Sequence, residues 1–175
     1  MPPTIEDQSA DDDAAAKRAL RLLPDSDDLT LLILKGHLMV EEELNIFLST
    51  YPFRTEALEH ARLTFLQKLW IIKAFAPFLA RESIWTRAET LNQLRNKIAH
   101  QPEVEDLDAQ IDRFITLLPD SLKDLVPESA PRPVRLRAAL AYTAGTLSDI
   151  PGLIRSTREE IAKAQKKSSR DVSEC

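Results

Sequence analysis

Large apolar residues recur at steps of three and four along most of this chain, and prolines stand at the joints between those runs. A helical turn takes about 3.6 residues, so this spacing gathers apolar side chains on one helix face. Strand-like alternation is absent, and no hairpin turn dipeptide separates two apolar runs. The pattern predicts an all-α fold: an antiparallel up-and-down bundle of four or five helices with a helical C-terminal extension.

The punctuation divides the chain. Residues 1–13 hold Pro2, Pro3 and five acidic groups with almost nothing to bury, the composition of a disordered arm. A short helix is expected over Ala14–Leu23, ended by Pro24. Ser26, Asp27 and Asp28 then offer capping oxygens for a long helix carrying Leu31, Leu34, Leu38, Leu44, Phe47 and Leu48, closed by Tyr51-Pro52. Thr55 is the expected cap of a third helix running to Ala76. Past Leu63 that helix is apolar nearly all round, the profile of burial on several sides, and Trp70, Phe75 and the later Trp85 read as packing residues. A fourth helix is expected over Ser83–His100, stopping before Pro102, and a fifth over Val104–Leu118. The domain reading is then a bundle at 14–118, a Pro-rich linker at 119–133, a helical extension at 134–167 and a polar tail at 168–175.

Composition narrows the chemistry. The three glycines, Gly36, Gly145 and Gly152, lie far apart, which excludes a glycine-rich phosphate loop. The one cysteine, Cys175, excludes a disulfide framework or a cysteine zinc site and fits a reducing compartment. A net charge of −5 argues against broad duplex binding, which needs excess lysine and arginine, but leaves room for a local basic site. Nothing reads as a signal peptide or a membrane span, so a cytoplasmic protein with no membrane partner is expected.

The stretch richest in chemistry runs from Leu91 to His100, LNQLRNKIAH. At about 100° per residue, Leu91, Leu94 and Ile98 share one stripe with Arg95 at its border. His100 lies roughly 140° from Arg95, nearly opposite the stripe. Asn96 stands four residues before His100, close enough on the wheel to touch it. The helix therefore turns a histidine away from its own core in its last turn, where the helix dipole favours a cation.

An arginine, a polar residue, three spacers and a histidine, here Arg95, Asn96 and His100 within LRNKIAH, resemble the Arg-x4-His motif of the HEPN family. The likeness covers about residues 27–118, including an upstream pair of long antiparallel helices around Leu29–Leu48 and Thr55–Ala76. The resemblance implies a helical bundle that pairs as a homodimer with both motifs on one cleft. It implies a metal-independent endoribonuclease that needs no cofactor and uses the RNA 2′-hydroxyl as nucleophile, plausible as a toxin or defence factor. Carried over, His100 is the general acid or base, Arg95 binds the scissile phosphate, and Asn96 orients His100 or the phosphate. A neutralising or regulated protein partner is a further expectation. The chain departs from one branch: where nucleotidylated HEPN toxins carry a tyrosine two residues after the histidine, it has Pro102. Non-catalytic HEPN-like regulators form the alternative, and a purely structural helical adaptor a third.

Other polar groups read more plainly. His37 and Glu41 have helical metal-pair spacing, but no second His–acid cluster completes a set; His37 reads as a boundary residue beside Gly36. His60, between Glu59 and Arg62, reads as surface. Glu41, Glu42 and Glu43 point around most of a helix and do not make one carboxylate site. Lys163, Lys166, Lys167 and Arg170 form a basic run suited to a solvated tail or to RNA phosphates.

Overall fold

A computed structural model describes residues 17–50, 58, 61–75, 82–101, 103–123, 126–157, 159–160 and 163. The acidic arm at 1–13, the cap expected at Thr55, His60, Pro102, the basic residues Lys166, Lys167 and Arg170, and the tail at 168–175 lie outside them. Among the described residues every regular element is a helix. None is long and apolar enough to cross a membrane.

Helix α1 covers 17–22 and α2 covers Leu29–Thr50. Asp28 caps α2: its carboxylate accepts the Leu31 N–H at 3.0 Å and its carbonyl the Leu32 N–H at 3.0 Å. Helix α3, Phe65–Phe75, begins later than the apolar pattern suggests. Arg62 takes φ 45°, a left-handed conformation that interrupts a helix. Thr64 and Gln67 then build a capping box: Gln67 Oε1 accepts the Thr64 N–H at 2.9 Å, and Thr64 Oγ1 accepts the Gln67 N–H at 3.4 Å. Among the described residues, the unbroken helix expected from Thr55 to Ala76 is therefore corrected: Leu58 is helical, but the chain leaves the helix over 61–64 and α3 starts anew at Phe65.

Helix α4 spans Glu82–His100 and α5 Leu107–Thr116. Helix α5 is shorter than expected at both ends. Asp106 enters it at φ 55°, and the chain leaves it through tight i→i−3 bonds from Leu117 to Phe114 and from Leu118 to Ile115. The Pro-rich linker holds a single turn, α6, Asp120–Lys123. Helix α7 runs Arg132–Ser148 and α8 covers 150–157. Pro133 and Pro151 fall inside these helices, in first turns where a missing N–H breaks no bond.

Residues 132–148 do not extend from a finished bundle; they complete it. Leu136, Ala139, Leu140, Ala144 and Leu147 are buried in the same core as Leu32, Ile33 and Val40 of α2, Leu91 and Leu94 of α4, and Ile111 and Phe114 of α5. Helix α7 packs chiefly along α2. Gly36 lets the two approach closely, since a Cβ built there would stand 2.4 Å from Leu140 Cδ2. The small residues of α7 gave little apolar signal, yet they are what a close helix–helix contact requires.

Among the described residues, helix α3 packs chiefly on α2 and α4. Phe65, Leu69 and Ile72 are buried, whereas Leu66 is 40%, Trp70 55% and Phe75 41% exposed. The expectation of burial on several sides, with Trp70 as a packing residue, is corrected: one stripe is covered and Leu66 and Trp70 face outward, while Phe75, though partly exposed, meets the core ring of Phe47 at 6.4 Å between centroids. Trp85, on α4, is in the core as expected.

Candidate active site

Helix α4 carries the motif, and three anchors set its place. At its N-terminal half, Arg87 is 1% exposed, donates from Nη1 to the Leu117 carbonyl at 3.3 Å and lies 4.6 Å from the centroid of the Tyr142 ring. This guanidinium joins α4 to the end of α5 and to α7 by charge-assisted and cation–π contacts. In the middle, Asn92 meets His37 of α2. Near the C-terminal end, Lys97 Nζ donates to Gln110 Oε1 at 2.7 Å, and Gln110 donates to the Glu105 carbonyl at 3.2 Å. The last turn is thus tied to α5.

Leu91 and Leu94 are fully buried on the expected stripe, and Ile98 is half-buried as the core opens. Arg95 and Asn96 are half-buried at that opening, and Arg95 Nη1 donates to Asn96 Oδ1 at 3.1 Å. His100, the last residue of α4, is exposed. Two of the three motif residues are therefore brought together. Asn96 is joined to Arg95 rather than to His100, and among the described residues no hydrogen bond links His100 to either.

A second polar group lies one turn below; the sequence draws attention to His37 but not to its partner Asn92. His37 is 5% and Asn92 7% exposed, with Nε2 and Oδ1 3.1 Å apart. Because the amide oxygen only accepts, Nε2 carries the proton and donates. The imidazole also stacks on Phe65 of α3, centroid to centroid 4.6 Å with 29° between planes. Burial holds the His37 pKa below its ordinary value; the Asn92 bond and the charge of Glu41 resist that shift, and Arg95 and Lys68 add to it. His37 is thus a buried neutral ring rather than the boundary residue expected from Gly36. Only the cross-helix pairing reveals this, because no local pattern relates positions 55 residues apart.

The acidic trio divides as its angular spread requires. Glu41 is bound to Lys68 of α3 at 2.7 Å. Glu42 is exposed. Glu43 is half-buried, and burial raises its pKa against the opposing charge of Arg18. Among the described residues, no three His, Cys, Asp or Glu side chains converge as metal ligands would. Near the start of α7, Arg132 is held by Asp108 at 2.8 Å and Asp112 at 3.0 Å, Arg135 by Asp112 at 3.4 Å, and Arg137 by Asp25 at 2.5 Å. The Arg132 guanidinium keeps the Asp112 carboxyl below its usual range. These arginines are neutralised locally and offer no open basic surface.

No protein-family model, curated protein or solved structure matches the chain.

Proposed function

We propose that the chain is a HEPN-type, metal-independent endoribonuclease that acts in the cytoplasm as a homodimer. One observation carries the reading: the last two turns of α4 present an arginine at the rim of the core, an asparagine bonded to it, and a solvent-open histidine in the final turn. Arg95 supplies a planar fork for a phosphate and Asn96 limits its directions. His100 is placed to exchange protons with substrate or water.

In this reaction the RNA 2′-hydroxyl loses its proton and attacks the adjacent phosphorus. The P–O5′ bond breaks, the leaving oxygen takes a proton, and the products are a 2′,3′-cyclic phosphate and a 5′-hydroxyl. Arg95 stabilises the extra charge on the phosphorus oxygens, and His100 moves a proton at one of the two oxygens. The roughly 140° between the two residues on one helix favours a cleft in which one protomer's Arg95 faces its partner's His100.

The test is structured RNA incubated in EDTA. The wild type is expected to cleave it at an undiminished rate, leaving cyclic-phosphate ends, and His100→Ala to lose about 10²- to 10⁴-fold. Cleavage that survives in the Arg95→Ala/His100→Ala double variant removes both residues from the mechanism. A second reading, a non-catalytic HEPN-like module that binds a protein, draws on the exposed Leu66 and Trp70 of α3. Wild-type protein inert on RNA favours it.

A further inference from the structure

We infer that His37 is a positioning residue of the Arg95–Asn96–His100 site, acting through its buried hydrogen bond to Asn92; this rests on the ribonuclease reading. Asn92 stands three residues before Arg95 and four before Asn96, so all three share one side of α4 across a single turn. Turning α4 about its axis would move Asn92 and Arg95 together. The contacts of Leu91 and Leu94 resist exposure but tolerate small rotations, because dispersion is nearly non-directional. A hydrogen bond at 3.1 Å, with its donor ring held flat against Phe65, tolerates far less.

The placement is selective. An apolar pair of similar shape would keep the helices together at little or no loss of stability, so a buried polar pair here has orientation as its distinctive contribution. Charged groups surround the ring from each neighbouring helix: Glu41 on α2, Lys68 on α3 and Arg95 on α4. The first two are bound to each other and bridge α2 to α3. Arg87 fixes the other half of α4 through Leu117 and Tyr142. The histidine bond ties the side of α4 that carries Arg95 to α2, and its removal should let that turn, with the bonded Arg95–Asn96 pair, take several orientations.

The experiment compares full-length wild type, His37→Gln, His37→Leu and His100→Ala on RNA, at a temperature well below the unfolding of each. Glutamine places a non-titrating N–H near the position of Nε2 and keeps the bond; leucine keeps bulk and removes it. His37→Leu is expected to lose about 10- to 100-fold in kcat with KM within about threefold, the scale of an ångström of misplacement. His37→Gln is expected to stay within about threefold of wild type, a rescue that loss of packing does not predict. If His37→Leu does not fold, Asn92→Ala removes the acceptor instead and should show the same loss of about 10- to 100-fold in kcat with KM within about threefold. A folded His37→Leu that cleaves like wild type, while His100→Ala is dead, overturns the inference and leaves the ribonuclease reading standing. Equal losses in His37→Gln and His37→Leu overturn it as well. A wild type that cleaves no RNA overturns both.

Discussion

Gly36→Ala tests the packing of α2 on α7 directly. Alanine in a helix interior gains about 1 kcal/mol over glycine. At this position the new Cβ would meet Leu140 Cδ2, Cδ1 and Cγ at 2.4, 2.8 and 2.9 Å. Leu140 is 1% exposed and cannot swing into solvent. Overpacking of this kind costs about 1–3 kcal/mol, so the net effect should be destabilising by about 0–2 kcal/mol. The sharper measurement is a double-mutant cycle. Leu140→Ala alone should cost about 2–5 kcal/mol, the range for a buried leucine. It also deletes all three crowding atoms. In that background Gly36→Ala should keep its helix gain of about 1 kcal/mol with nothing to set against it. The coupling is then about 1–3 kcal/mol, above the few tenths expected of independent sites. Urea unfolding followed by circular dichroism supplies each stability, with an unchanged m-value as the check that only stability moved. A Gly36→Ala effect equal in both backgrounds to within about 0.5 kcal/mol would refute the close approach of the two helices.

Arg95→Lys should rescue little of the activity lost in Arg95→Ala, because an ammonium cannot reproduce a planar fork on phosphate; steady-state rates on one RNA decide it. If each cleft takes Arg95 from one protomer and His100 from its partner, mixing the Arg95→Ala and His100→Ala variants should restore part of the cleavage. The dimer behind that result should bury more than about 1,200 Å² in total, and light scattering that reports a monomer at high micromolar concentration would count against it. For pH, the His37 pKa is lowered on folding, so the folded state prefers the neutral ring. Its contribution should be complete above about pH 6.5 and be lost as pH falls from there toward the lowered folded value. Denaturation across that window should show this loss in the wild type and not in His37→Gln.

Local chemistry decided a good deal of this protein. Three-and-four spacing specifies helices, Asp28 caps α2, the bias against helix before Pro102 agrees with a stop at His100, and Leu91 and Leu94 mark the buried side of α4. All of these act within about one turn of chain, so they can be read in order. From the same stretch, Arg95 could be placed at the edge of the core and His100 outside it, whereas Asn96, expected on the His100 face, is half-buried and bonded to Arg95. Long-range packing decided the rest. Trp70 and Trp85 look alike in sequence, yet one faces outward and the other lies in the core, because among the described residues α3 packs chiefly on α2 and α4 and Trp70 points away from both. The break before Phe65 carries a readable sign, the Thr64-x-x-Gln67 capping box, which the three-and-four apolar spacing masks and the left-handed Arg62 makes plain. Alanine and glycine give α7 a weak apolar pattern, but their lack of bulk is what admits it to the centre beside Gly36. His37 is a polar residue in an apolar helix until Asn92, 55 positions away, supplies the acceptor that makes its burial affordable. A helix face is written in its own residues; what that face meets is set by the others, and that is known only once they are packed.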